Sequence, residues 1–160
     1  MDPAILDTQV VFDKFPDEPA LKALSEIVVA AKYDREELTI TVAREDIVAA
    51  CEAVKRAGYN FFEDVTAVDW YPSEPRFQIS YSILSFSLKR RLRLAARLSS
   101  DAASLDSVTS VWPAANFYER EVFDLFGVDF PGHPNLRRIM MPEDWQGHPL
   151  RKDYPVEGYR

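Results

Sequence analysis

The strongest constraint on this chain lies at its C-terminal end. Between Pro131 and Arg160 there are five prolines, three glycines, both histidines and five arginines or lysines. No long apolar period survives among them, so neither an extended helix nor a strand can be built there. Punctuation of that kind usually marks a disordered tail. Yet Leu136, Ile139, Met140, Met141, Trp145, Leu150, Tyr154 and Tyr159 are spread through the segment. Large apolar groups are what offset the entropy of fixing a chain, and disordered tails lack them. The segment is therefore expected to be an ordered but irregular tail that lies on another surface.

The 160-residue chain is long enough for one domain that buries about 70% of the surface its unfolded form exposes. No run approaches the ~20 apolar residues of a membrane span. The start, Met1-Asp-Pro-Ala-Ile-Leu-Asp, shows no basic region followed by an apolar stretch, so the cytoplasm is the expected compartment. A single cysteine, Cys51, excludes an intrachain disulfide, a four-cysteine zinc site and an iron–sulfur cluster held by this chain alone. It sits in an apolar helical run and reads as a small buried hydrophobe. The formal net charge of −7 argues against a general nucleic-acid binder.

Periodicity predicts an α+β domain over residues 1–130, a mixed or antiparallel sheet with a few packed helices, followed by the tail at 131–160. The first twenty residues, with Pro3, Pro16 and Pro19, read as irregular. Ala20 to Ala31 reads as a short helix running into a strand. Leu38-Thr-Ile-Thr-Val42 alternates with period two and pairs with that strand as a hairpin. Arg44 to Ala57 is an amphipathic helix with Gly58 at its end. Residues 61–71 and 76–86 form a second hairpin across Pro72-Ser-Glu-Pro75. Ser87 to Leu98 mixes strand alternation with helix-forming residues, and a strand is favoured. A polar loop follows at 99–106, and a last helix is expected at 113–126, opened by Pro113 and stopped by Gly127. Gly132-His-Pro and Gly147-His-Pro begin two short imperfect copies, which would make similar turns.

Several groups invite a chemical reading. Glu119, Arg120, Glu121 and Asp124 crowd the last helix, and Glu121 with Asp124 shares a face. They are either a carboxylate pair for acid–base or metal chemistry or an ion-pair face, and buried charges among them would need partners. His133 and His148, helped by Asp144 or Asp153, could ligate a metal, but their spacing fits no compact motif and a turn role suits them better. There is no Gly-x-Ser-x-Gly and no phosphate-cradling glycine loop. The basic run Lys89 to Arg97 is either an anion-binding patch, for RNA or an acidic protein, or a solvated strand face balanced by in-chain acids. Arg137, Arg138 and Arg151 beside Trp145 and Tyr154 are the mix enriched at protein interfaces.

Glu119-Arg-Glu-Val-Phe-Asp-Leu-Phe126, then His133, Arg137, Arg138, Ile139 and Met140, resembles the signature of the 30-kilodalton subunit family of respiratory complex I, the C subunit of the bacterial NADH:quinone oxidoreductase. Met141-Pro-Glu-Asp-Trp-Gln-Gly-His-Pro-Leu-Arg-Lys-Asp-Tyr-Pro155 resembles the same family's C-terminal block. The resemblance is specific over 112–155. It implies an accessory subunit of the peripheral arm of a proton-translocating NADH:quinone oxidoreductase, with no catalytic, cofactor or metal residue of its own. The mitochondrial transit peptide and C-terminal extension are missing, which implies a bacterial source and the cytoplasmic face of the inner membrane. Its partners would be the large hydrogenase-related subunit and the small iron–sulfur subunit, with FMN, iron–sulfur clusters and quinone held by partners. The implied interface residues are Glu119, Arg120, Glu121, Asp124, His133, Arg137, Arg138, Trp145, His148, Arg151, Lys152, Asp153 and Tyr154, arginines pairing with partner carboxylates and aromatics filling pockets. An equivalent subunit of a membrane-bound hydrogenase, a free-standing enzyme using Glu119, Glu121 and Asp124, and an RNA-binding module are the competing readings.

Overall fold

Tyr81, Ile79 and Ile83 on one strand and Leu92 and Leu94 on the next are each at most 1% exposed, and the fold is arranged around that double row. The computed structural model describes residues 6–159; the expectations for residues 1–5 and 160 lie outside the described residues. Helix α1 (Thr8–Lys14) and helix α2 (Pro19–Leu24) precede a hairpin of β1 (Val28–Asp34) and β2 (Glu37–Val42). Helix α3 (Ile47–Arg56) leads to β3 (Phe61–Asp69), β4 (Phe77–Ser85) and β5 (Arg90–Leu98), and α4 (Ala115–Phe126) comes last.

The sheet order is β1-β2-β5-β4-β3. Each neighbouring pair is antiparallel except β2 with β5, which run parallel with Leu38 opposite Leu92 and Ile40 opposite Leu94. This is the mixed sheet the pattern predicts, and the α+β class holds. Alternation decides which side is covered, because successive strand residues point to opposite faces. Ile40, Ile79, Tyr81, Leu94 and Ala96 on one face join Leu21 and Leu24 of α2 and Ile47, Ala50, Cys51 and Val54 of α3 in a single core. Each fully buried Leu, Ile or Val there stabilises by about 1.5–3 kcal/mol relative to exposure. The alternate residues Lys32, Thr66 and Val68 stay exposed on the other face.

Four expectations need correction. The first twenty residues are not wholly irregular: Asp7 accepts the Val10 N–H at 3.1 Å and caps α1, which buries Val11 completely. Pro16 and Pro19 punctuate that region without abolishing helix, and Pro19 sits at the first turn of α2, where its missing N–H costs nothing. The third helix takes its first residues, Arg44–Asp46, as 3-10 turns, and the fourth begins at Ala115 because Pro113 belongs to the preceding turn. The loop at 99–106 contains a 3-10 turn at Ser100–Ala102 and bridges to the chain beyond α4, with Leu105 N–H donating to the Asp129 carbonyl and Ser107 N–H to that of Pro131. That bridge fixes where the tail leaves the body.

Candidate functional site

Helix α4 buries three charged side chains, Glu119, Arg120 and Asp124, and each commits to partners inside the chain. Asp124 has a fully buried carboxylate. Its Oδ1 accepts from Arg138 Nη1 at 2.6 Å, and its Oδ2 accepts three consecutive backbone N–H groups, of Ile139, Met140 and Met141, at 2.9, 2.7 and 2.8 Å. Burial alone would raise its pKa, but the Met141 N–H, the Arg138 guanidinium and the Ile139 and Met140 N–H groups outweigh it and hold the carboxyl below the ordinary aspartate range. One side chain on the helix therefore shapes the tail backbone from 138 to 141.

The last carbonyls of an α-helix lack partners within it, and here the tail supplies them. His148 Nδ1 lies 2.9 Å from the Asp124 carbonyl and donates to it; Leu150 N–H donates to that of Leu125 at 3.0 Å; Arg151 Nε donates to that of Phe126 at 2.6 Å. Arg138 also reaches the Asp124 and Gly147 carbonyls. Cations there complement the negative end of the helix dipole. Gly127 makes this closeness possible. Its φ of +70° ends the helix in the left-handed region, and a Cβ there would lie 2.5 Å from the His148 ring. Burial pushes the His148 pKa down, and Arg151 and Arg138 add to this.

A second fastening lies at the far end of β3. Asp69 is buried and takes both Nε and Nη2 of Arg76, at 2.9 and 2.8 Å, together with the Tyr71 and Lys152 N–H groups. Arg76 also donates to both oxygens of Asp153, at 3.0 and 2.6 Å. It thereby ties the hairpin to a residue 77 positions away. Burial opposes ionisation of Asp69, but Arg76 and the two N–H donors hold its pKa to about 2, against an ordinary 3.8. A depressed carboxylate stabilises the fold above its ordinary pKa and loses that contribution as pH falls through the folded value. The stability carried by Asp69, about 2 kcal/mol, should therefore disappear between about pH 4 and pH 2. Asp69→Asn should flatten that part of the acid-unfolding curve measured by circular dichroism; an unchanged slope would contradict this.

Glu119 accepts from Ser107 Oγ at 2.6 Å and from Val108 N–H at 2.7 Å, forms no ion pair among the described residues, and burial raises its pKa. Arg120 donates to the Arg137 and Arg138 carbonyls, at 3.1 and 3.2 Å. His133 Nε2 lies 3.0 Å from the Asn116 carbonyl, so both histidine turns dock on α4, each after a glycine at positive φ. Glu121 is exposed on the outer face of α4 and meets neither Glu119 nor Asp124. The carboxylates form no acid–base pair, and among the described residues no group of three His, Cys, Asp or Glu side chains is placed to hold a metal ion. Arg93 pairs with Glu37 and Arg90 with Glu18, so part of the basic run is balanced within the chain.

Of the arginines expected to seek partner carboxylates, Arg138 thus finds Asp124 and Arg151 finds the Phe126 and Gly127 carbonyls within the chain. Arg137 and Lys152 keep exposed side chains. Tyr154 packs edge-on against Tyr159 and donates to the Gln146 carbonyl at 3.2 Å. Asp69 and Arg76 escaped the sequence reading, because two residues bracketing a turn carry no periodic signal. What the tail does not do is bury itself. From Pro131 to Tyr159 no residue reaches the burial of the core, and Ile139, Met140, Trp145, Leu150 and Tyr159 all stay exposed, Met140 by 61%. Polar contacts fasten the inner side of the tail together with Leu136, which packs against the core, and most of its large apolar side chains stay exposed.

Comparison with known proteins places this geometry. Residues 40–160 match the family described as respiratory-chain NADH dehydrogenase, 30 kDa subunit. A protein of Geobacter metallireducens, named as the C subunit of an NADH-quinone oxidoreductase, is 52% identical over 133 residues, covering 82% of each chain. One of the same name from Roseiflexus castenholzii is 42% identical over 137 residues, covering 84% of this chain and 79% of its own. Among solved structures, a trypsin-resistant fragment of Nqo5 is 32% identical with a TM-score of 0.59, covering 62% of this chain and 83% of the fragment. A chain from the membrane-bound sulfane sulfur reductase, an archaeal respiratory membrane complex, is 25% identical with a TM-score of 0.75, covering 92% and 85%.

Proposed function

Because the chain belongs to the 30 kDa subunit family of the respiratory-chain NADH dehydrogenase, we propose that it works as the C subunit of a proton-translocating NADH:quinone oxidoreductase, in the peripheral arm, by holding other subunits together. The observation that carries this reading is the outward apolar row of the tail. A segment with no buried residue, fastened at its back by buried carboxylates, has the build of a binding strap. Exposed patches rich in aromatics, methionine and arginine mark protein interfaces.

In this reading the tail lies across the large hydrogenase-related subunit and close to the small iron–sulfur subunit. FMN, the iron–sulfur clusters and quinone reside in those partners and their neighbours, and this chain holds no cofactor. Its one cysteine supports that: Cys51 is fully buried, and burial, with Glu119 and Glu52 adding to it, pushes its thiol far above the ordinary range. Among the described residues no helix is long and apolar enough to cross a membrane. Attachment at the cytoplasmic face of the bacterial inner membrane is then indirect, through the partners.

Purifying the tagged chain from gently solubilised membranes tests the reading. It should bring down a complex that oxidises NADH and reduces quinone. Recovery as a lone monomer would overturn it, and a complex driven by hydrogen instead of NADH would favour the hydrogenase-type alternative. Trp145→Ala should leave the melting temperature of the isolated chain within about 1 °C, since a surface substitution usually changes stability by less than ~0.5 kcal/mol. It should weaken retention in the complex by roughly 30-fold, the loss of about 2 kcal/mol expected of an interface tryptophan. Equal retention in a pull-down would count against Trp145 as an anchor.

A further inference from the structure

The end of the sheet away from the Asp69 fastening carries a different surface. Register places Asp34 opposite Glu37, Ser85 opposite Arg90 and Phe61 opposite Leu84, so the β1–β2 turn, the β4–β5 turn and the start of β3 share one end. Asp69 lies at the other, a nine-residue strand of about 25–30 Å away. At the shared end opens a cleft of about 1060 Å³, whose lining includes Phe15, Glu18, Tyr33, Arg35, Lys89 and Arg91.

Three cations of this cleft have no ion-pair partner among the described residues. Glu18 is occupied by the Tyr59 hydroxyl at 2.6 Å and by Arg90, and Glu37 by Arg93. Arg35, Lys89 and Arg91 are exposed and, among the described residues, form no ion pair, with Glu36 the one lining acid left to oppose them. Backbone strain gathers at the same place. Among the described residues, the non-glycine positions with positive φ are Arg35, Glu36 and Lys89, at 51°, 64° and 51°. Hairpin turns of this geometry favour asparagine and glycine, so long charged side chains are held there at a conformational cost. Phe86, on the same turn as Lys89, is 68% exposed and meets the half-exposed Phe61 ring at 5.1 Å.

We propose that this end of the sheet is a second protein-binding surface, one that takes an acidic segment of a neighbouring subunit. Carboxylates of that segment pair with Arg35, Lys89 and Arg91, and an apolar side chain beside them covers Phe61 and Phe86. Charge complementarity selects the occupant. A chain of net charge −7 repels a long polyanion such as nucleic acid, whereas a few unpaired cations next to exposed aromatics have the make-up of a protein interface. The inference rests on the chain residing in a multisubunit complex, as proposed above, and adds a contact remote from the tail.

The test uses the intact complex, treated with a zero-length carbodiimide that joins amines to carboxylates and then mapped by peptide mass spectrometry. Lys89 should be linked to an aspartate or glutamate of another subunit. Lys89→Glu should lower by at least twofold the salt concentration that releases the chain from the complex, and Lys89→Arg should leave it unchanged. If Lys89 in the complex is acetylated as fast as in the free chain, or links only within its own chain, the inference is overturned. Binding of the free chain to anionic phospholipid vesicles or to single-stranded RNA, lost in Lys89→Glu, would overturn it too. A chain recovered with no other subunit takes the functional reading down and this inference with it; a recovered complex with a freely reactive Lys89 defeats this inference alone.

Discussion

Asp124→Ala should detach the root of the tail and with it the subunit from its complex. The substitution removes a fully buried carboxylate and strands four donors at once, the Arg138 guanidinium and the N–H groups of Ile139, Met140 and Met141. Breaking one partner of a buried pair costs about 3–5 kcal/mol, and each N–H left unpaired and shielded from water adds to it. Retention in the purified complex should fall by two orders of magnitude or more. Because the core is built from residues before the tail, far-ultraviolet circular dichroism should stay close to that of the unaltered chain. Asp124→Ala combined with Arg138→Leu should recover part of the loss, since deleting both members leaves no stranded charge. A double variant that is no better than Asp124→Ala, with equal retention for all three chains, would show that Asp124 does not organise the tail.

The second large effect is expected at Arg76. Its guanidinium is 8% exposed and sits between Asp69 and Asp153, with Tyr71 and Phe77 under its face at 4.9 Å. Arg76→Ala leaves the buried Asp69 carboxylate with two N–H donors and no cation, and removes the tie to Asp153. Here the body itself should suffer, by about 3–5 kcal/mol. For a chain of this size that is a fall in melting temperature of roughly 6–20 °C. Calorimetry on the isolated chain measures it. Arg76→Lys should not rescue the loss fully, because an ammonium cannot copy the two-sided fork that the guanidinium presents. A fall of under about 2 °C for Arg76→Ala would contradict the account.

Much of the body was legible in the sequence because its signals are local. The alternation of Leu38 to Val42 gives β2 and its hairpin, and the three- and four-residue recurrence of Ile47, Cys51 and Val54 gives α3. Gly127 marks the end of α4 to the residue. Arg91-Leu-Arg-Leu94 was ambiguous because leucine and arginine favour helices; the position of β5 between β2 and β4 decides it, burying Leu92 and Leu94 on one face. Helix α1 was hidden by the prolines around it, and its cap, Asp7, is one side chain with no periodicity of its own.

The site was legible in its residues and not in its pairings. Asp124, Arg138, His148 and Arg151 can be picked out by type, but the sequence does not say that Arg138 turns back onto Asp124 or that Arg151 caps the Phe126 carbonyl. Such contacts join points 14 and 25 residues apart through a chain without regular structure, and no spacing rule covers them. The tie from Arg76 to Asp153 is longer still, and both of its ends look like ordinary surface charge. Expecting the arginines to meet partner carboxylates put their chemistry on the outside of the tail, whereas in the structure Arg138 and Arg151 turn inward onto α4 while Ile139, Met140, Trp145 and Leu150 stay exposed.

The most direct measurement removes residues 132–160 and leaves Pro131, whose carbonyl closes the bridge to Ser107. The shortened chain should keep its sheet and helices by circular dichroism, fail to accompany the NADH-oxidising complex through purification, and leave membranes with little NADH:quinone activity. A shortened chain that co-purifies in full amount with full activity would show that the tail is not what attaches this subunit.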